Sequence, residues 1–249
     1  MRFRIRDALG FGWEVTQEHL GFLVGVEVAY IGVQVLLRVA LQVLGVPPLV
    51  SRPVSPLFHA VLYMGFLTIA LGFVDGRRGT IWDLFSRWRL LGKYLGATVL
   101  TTLPPLAALG GLVAVVFTWR VAGLPAPRTV ILAGALLFAA FAVAWGVAFR
   151  FAIYSVIDRE HGPLAAMRAS FTITRGERWH LFVFLLACAG MNLLGALVFV
   201  VGLLATIPAT VIATAWVYRR LLGAPEDVIT SAPAEDDFAI PPPIPPERR

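Results

Sequence analysis

Charge is scarce in this chain. Only 14% of its 249 residues are Asp, Glu, Lys or Arg, against about 25% in a soluble domain. There is one cysteine, Cys188, so an intrachain disulfide is excluded. The four histidines, His19, His59, His161 and His180, are scattered, and none has metal-ligand spacing with a carboxylate or thiol. No Walker-type glycine loop, GxSxG or HExxH occurs. The apolar stretches hold few serines and no paired carboxylates, which leaves intramembrane proteolysis without a nucleophile or dyad. The P-x-[DE]-x-x-[KR] signature of mitochondrial-type carriers is also missing. The expectation is a protein that is not an enzyme and carries no cofactor or metal.

The chain does have long apolar runs. Leu181 to Leu222 spans 42 residues and holds two charges, Arg219 and Arg220. One helix of that length would be roughly 60 Å long, about twice the hydrocarbon core of a bilayer, so the segment must cross twice. Similar runs upstream predict an all-α polytopic membrane protein. Its six transmembrane helices form three hairpins, at about 20–44, 57–74, 94–119, 129–157, 179–201 and 205–222. Four prolines mark 45–56 as a loop, and Pro104-Pro105 predicts a kink in the third span.

Three shorter stripes accompany the hairpins. Residues 1–19 contain Ile5, Ala8, Leu9, Gly12 and Trp13 on one helical face, the pattern of a helix lying along headgroups. Thr80 caps a second stripe of Ile81, Leu84, Phe85 and Trp88, and Pro163 opens a third with Leu164, Met167 and Phe171. The unit of interfacial helix, outward span and returning span thus recurs three times. Asp75 to Gly79 and Asp158 to Gly162 match at the same spacing. Residues 223–249, with seven prolines and an acidic cluster, predict a disordered tail.

The charge is unevenly divided. Residues 1–222 have a balance of +10 and residues 223–249 a balance of −4. Basic residues cluster in the N-terminus, 75–93 and 158–178, whereas the opposite connections hold three: Arg52, Arg120 and Arg128. The positive-inside rule puts both termini in the cytoplasm. Arg4, Arg6, Arg77, Arg78, Arg87, Arg89, Lys93, Arg175 and Arg178 are the expected contacts to anionic lipid headgroups. No nucleic-acid partner is implied, and the tail is a candidate protein-binding segment.

Six polar residues inside the expected spans are candidate site residues. Glu27 and Arg150 each lie about seven residues in from the same side, about 10 Å deep, where ionisable groups face the bundle interior and pair. They are expected to form an ion pair, as a polar site or as a clasp fixing helix register; the alternative is that each snorkels separately. Gln34, Asn192, Arg38 and His59 either line a cavity or make interhelical hydrogen bonds. Gly21-x-x-x-Gly25 and Gly92-x-x-x-Gly96 predict close helix approach, either within the chain or at a dimer face.

Residues 154–222 carry a family pattern. Tyr154-Ser-Val-Ile-Asp158 is followed by Gly162-Pro-Leu-Ala-Ala-Met-Arg-Ala-Ser170 and Thr174-Arg-Gly-Glu-Arg-Trp179, then Gly195, Gly202, Pro208 and Tyr218-Arg-Arg-Leu-Leu222. This resembles the YciC-like, domain-of-unknown-function (DUF975-type) class of six-span bacterial integral membrane proteins. Ala165 stands where that family often has Glu, and Arg175 where Lys is common. The resemblance implies a bacterial inner-membrane location and no established activity. Two functions are therefore expected. The first is a non-catalytic membrane-embedded accessory protein contacting anionic lipid. The second is a small-molecule or lipid-handling transporter with a polar site around Glu27 and Arg150.

Overall fold

The structure, a computed structural model, describes residues 3–77, 79–122, 128–198 and 201–223. Among them every regular element is a helix: α1 (Ile5–Glu18), α2 (Leu20–Val43), α3 (Pro48–Val74), α4 (Leu91–Val121), α5 (Arg128–Phe149), α6 (Ala152–Arg159), α7 (Pro163–Ile173), α8 (Arg178–Leu197) and α9 (Leu203–Leu221). Five segments are long and apolar enough to cross a membrane: Leu20–Val43, Pro48–Val74, Ile81–Val121, Arg128–Arg159 and Arg178–Leu197. The chain is a multi-pass, all-helical membrane protein. Arg78, residues 123–127 and the tail from 224 lie outside the described residues.

α9 is the central helix. Most of its residues are buried, including Thr206, Thr210 and Thr214, and it packs on α1, α2, α3 and α8. A helix enclosed by protein on several sides does not need the apolarity of a lipid-facing one. Its threonines bond inward, Thr214 Oγ1 to the Thr210 carbonyl at 2.6 Å and Thr210 Oγ1 to the Ile207 carbonyl at 3.0 Å. Gly195 and Gly202 let α8 and α9 meet at their shared turn, where a Cβ on either would overlap the other strand of the hairpin.

α1 departs from the expected headgroup helix. Its buried face is Ala8, Phe11, Gly12, Val15 and Thr16, rotated from the expected stripe so that Trp13 is exposed. α9 covers that face. A Cβ on Gly12 would lie 2.9 Å from the Ala213 Cβ and overlap the Ala209 carbonyl. Phe11 reaches Trp216, with ring centroids 6.4 Å apart.

Residues 45–56 are not the expected loop. Gly45, at φ 64°, ends α2 in a Schellman turn, with Val46 N–H donating to the Leu41 carbonyl at 3.0 Å. α3 then starts at Pro48, because proline at the first helical position loses no hydrogen bond. Gly76 closes α3 the same way, with Arg77 N–H donating to Gly72 at 2.8 Å.

The second expected amphipathic helix is two 3-10 turns, Ile81–Phe85 and Trp88–Leu90. Thr80 does form a capping box, its backbone N–H donating to Asp83 Oδ2 at 2.8 Å. Of the expected stripe only Leu84 is buried, pressed on Gly65, while Ile81, Phe85 and Trp88 are exposed. In α7, too, Leu164 and Phe171 face outward, and Ala166 and Ser170 are the buried pair.

The expected continuous fourth span is broken at Arg150-Phe151. Ser170 repairs the break. Its hydroxyl donates to the Ala148 carbonyl at 2.9 Å and accepts from Phe151 N–H at 3.1 Å. Thr174 Oγ1 donates to the same carbonyl at 3.3 Å. Interrupted backbone at membrane depth is tolerated only where protein supplies such partners. α4 runs unbroken through Pro104-Pro105. Pro105 has no N–H for the Thr101 carbonyl, and the Trp145 indole donates to that carbonyl at 2.8 Å instead.

Candidate functional site

Two facing sides of the α2–α3 hairpin carry a run of polar side chains. On α2 the residues Glu27, Tyr30, Ile31, Gln34, Arg38 and Leu41 recur at spacings of three and four, one side of a helix. On α3 the same spacing sets Arg52, Ser55, Pro56, His59 and Tyr63 on one side. Because α3 begins at Pro48, Arg52 and Ser55 belong to this wall and not to a loop.

Between the two walls lies a continuous groove. Its middle is a cavity of about 480 Å³ lined by Tyr30, Gln34, Arg38, Ser55 and His59, among others. Arg38 and Ser55 also line the next cavity, about 470 Å³, which continues to Gln42, Ser51 and Arg52. In the other direction Tyr30, Ile31 and His59 are shared with a third cavity of about 300 Å³, which reaches Glu27, Tyr63 and Phe66 and is floored by Ile207 and Val211 of α9.

His59 organises the middle. Its Nδ1 accepts from the Tyr30 hydroxyl at 2.5 Å and from the Gln34 amide at 3.1 Å. The imidazole stacks on Tyr63, with centroids 6.0 Å apart and planes 11° from parallel.

The two ends of the groove have opposite chemistry. At one end Arg38 and Arg52 stand among Gln42, Ser51 and Ser55, a set of donors with no carboxylate. At the other end Glu27 is 7% exposed, and its Oε2 is buried with no hydrogen-bond partner.

Four of the six polar residues singled out in the sequence therefore line one groove: Glu27, Gln34, Arg38 and His59. The other two do not. Arg150 lies exposed at the α5–α6 break, and the expected Glu27–Arg150 ion pair is not formed. Glu27 faces α3 and α9, whereas Arg150 follows the end of α5, which packs on α4, α7 and α8. Equal depth did not place them on facing helices. Asn192 bonds across the α8–α9 hairpin, its amide donating to Thr210 Oγ1 at 3.2 Å. Gly21 and Gly25 have no neighbour within 4 Å and so do not serve intrachain packing, while Gly96 lies against Pro163.

A second polar cluster was not foreseen. At the ends of α3, α6 and α9 the Arg219 guanidinium bonds two aspartates. Nε donates to Asp75 Oδ1 and Nη2 to Asp75 Oδ2, both at 2.8 Å, and Nη1 donates to Asp158 Oδ2 at 2.8 Å. Tyr218 adds a hydroxyl to Asp158 Oδ2 at 3.1 Å, and Arg77 reaches Asp75 at 2.7 Å. This network ties three helix ends together.

Of the expected headgroup contacts, Arg4, Arg6, Arg89 and Arg175 are exposed. Arg87 pairs with Glu160 at 3.5 Å, and Lys93 donates to the Glu160 carbonyl at 2.7 Å. Arg178 stacks on Phe171, 4.2 Å from the ring centroid. Arg77 is engaged by Asp75, and Arg78 lies outside the described residues. No group of His, Cys, Asp and Glu able to hold a metal ion occurs among the described residues. Comparison with protein-family models, with curated proteins and with solved structures found no match.

Proposed function

We propose that the chain is a lipid-handling membrane protein whose α2–α3 groove holds an anionic amphiphile. The observation that carries this is the convergence of Gln34, Arg38, Arg52 and His59 on one groove open along its length. An anionic headgroup fits between the Arg38 and Arg52 guanidiniums, with Ser51, Ser55 and Gln42 as further donors. The acyl chain lies along Ile31 and Val35, which are exposed and apolar. The accessory reading, in which the basic face contacts anionic lipid and the tail or interfacial helices recruit a partner, draws no support from the groove.

The same reading takes α9 as a sixth span, with both termini cytoplasmic in a bacterial inner membrane and the Arg38–Arg52 end in the outer leaflet. The YciC-like resemblance of the sequence is consistent with it. The pattern's Ser170, Gly195 and Gly202 all have structural work here, at the helix break and the α8–α9 turn.

The test is bound lipid. Protein purified from nanodiscs of mixed phosphatidylglycerol and phosphatidylcholine is expected to retain phosphatidylglycerol by native mass spectrometry. The Arg38→Gln, Arg52→Gln double variant is expected to lose that preference. Equal retention of the two lipids by the unaltered chain would end this reading.

A further inference from the structure

We infer that the Glu27 end of the groove is a binding site for a lipophilic organic cation, of the quaternary ammonium or phosphonium class. The inference rests on the groove being a ligand site and names the chemistry of the end opposite the arginines.

Three observations point there. The Glu27 carboxylate is more than nine-tenths buried, and one of its oxygens has no partner. Glu27 is also the one carboxylate or permanent charge lining the 300 Å³ cavity, whose other walls are Tyr30, His59, Tyr63, Phe66 and aliphatic side chains. Finally, the rings pack on one another, Tyr30 with His59 at 5.7 Å and with Phe66 at 6.4 Å between centroids. They line the same cavity as the carboxylate.

Each feature narrows the ligand. A buried carboxylate with an empty partner position calls for positive charge. The sequence offered Arg150 for that place, and the fold sends Arg150 elsewhere. An inorganic cation does not fit, because sodium, magnesium and calcium need several oxygen ligands and this cavity offers one carboxylate among rings and methyl groups. Aromatic faces beside a single acid are the recognised surroundings of an alkylated or arylated onium group, whose charge is spread and weakly hydrated. A cavity of about 300 Å³ is at the small end of ligand sites. It opens into the middle cavity past Tyr30 and His59, so substituents on the cation have space to extend along the groove. Arg38 is eleven residues from Glu27 on the same helix, about 16 Å away. Its repulsion therefore does not reach the onium site at close range, and the anionic lipid at that end can stay in place.

Binding of radiolabelled tetraphenylphosphonium to the full chain in phosphatidylcholine nanodiscs tests this, with empty nanodiscs as the blank. Saturable binding is expected. Glu27→Gln should weaken it at least tenfold, Glu27→Asp less than threefold and Tyr63→Leu about threefold. Tetraphenylborate, the same size with opposite charge, should not compete. Unchanged affinity in Glu27→Gln, or competition by tetraphenylborate equal to that of unlabelled cation, overturns the inference. Should Glu27→Gln aggregate, the Tyr63→Leu and tetraphenylborate arms decide alone. Retained phosphatidylglycerol with no saturable cation binding defeats this inference and leaves the lipid-handling reading standing.

Discussion

Arg219 and Asp75 lie 144 positions apart and meet through two parallel hydrogen bonds of 2.8 Å each. The same guanidinium holds Asp158. Asp75 and Asp158 are the positions that match between the first two hairpins of the sequence repeat, and Arg219 stands at the end of the third. One planar cation thus closes three helix ends, using a geometry that lysine does not have. All three groups are mostly buried, so removing one leaves charge uncompensated.

Arg219→Gln is therefore expected to destabilise the fold by about 3 kcal/mol, the cost of breaking a buried pair from one side. Arg219→Lys should recover less than half. Thermal unfolding in detergent, followed by loss of monodispersity, measures both. Asp75→Asn and Asp158→Asn should each cost less than the arginine change, because each removes only part of the network. A melting point unmoved by Arg219→Gln would mean the clasp contributes nothing.

Ser170 stands under the break between α5 and α6. Ser170→Ala leaves the Phe151 N–H without its acceptor and deprives the Ala148 carbonyl of its shorter bond. An unmet buried donor costs about 1–3 kcal/mol. A corresponding drop in melting temperature is expected, together with faster hydrogen exchange at residues 150–152. Exchange that stays as slow as in the unaltered chain would show that the hydroxyl does not hold the break.

How much of this was legible in the residues differs between elements. The lipid-facing helices were, because apolar runs report the solvent directly. α9 was legible as a helix but not as the centre. Its threonines lower its apolarity for a reason that appears only once α1, α3 and α8 surround it. The groove was half legible. Glu27, Gln34, Arg38 and His59 stood out as polar groups at depth, but Tyr30, Tyr63 and Arg52 did not, since tyrosine reads as an interface anchor and proline-rich 45–56 reads as a loop. The spacing of three and four that joins them was visible on both helices. Depth alone misled for Arg150, because it fixes height in the membrane and not azimuth around the bundle. The Arg219 clasp was readable only as a repeated aspartate. That its partner sits 61 residues beyond Asp158 is a property of the fold.

Trp145 and Pro105 make a prediction that depends on coupling. Trp145→Phe removes the donor to the Thr101 carbonyl and should cost about 1 kcal/mol. In a Pro105→Ala background the restored backbone N–H takes that carbonyl, so Trp145→Phe should cost much less. Equal costs in the two backgrounds would mean the indole bond is incidental to the proline.

Gly65 and Gly25 give opposite expectations for the same substitution. A Cβ on Gly65 would overlap the Leu84 backbone, which cannot swing aside, whereas Gly25 has open space. Gly65→Ala should destabilise by about 1–3 kcal/mol through overpacking. Gly25→Ala should be neutral or slightly stabilising, since alanine is the better helix former. Parallel melting curves decide it, and equal effects would mean that the 3-10 turn does not sit against α3.

Sidedness follows from charge and is tested by chemistry. Arg4 and Arg6 lie at the start of α1, Arg87 and Arg89 at the 3-10 turns and Arg175 just after α7, and all but the half-buried Arg87 are exposed. Arginines within reach of the spans resist translocation, so this face should be cytoplasmic. Cys188 is buried and is first replaced by alanine. In that background, cysteines at Gly76 and Glu160 should resist a membrane-impermeant maleimide added to intact cells and react after permeabilisation. A cysteine at Ser51 should react from outside in both states. Labelling of Gly76 in intact cells would invert the protein and would put the Arg38–Arg52 end of the groove in the inner leaflet, where anionic lipid is drawn from a different pool.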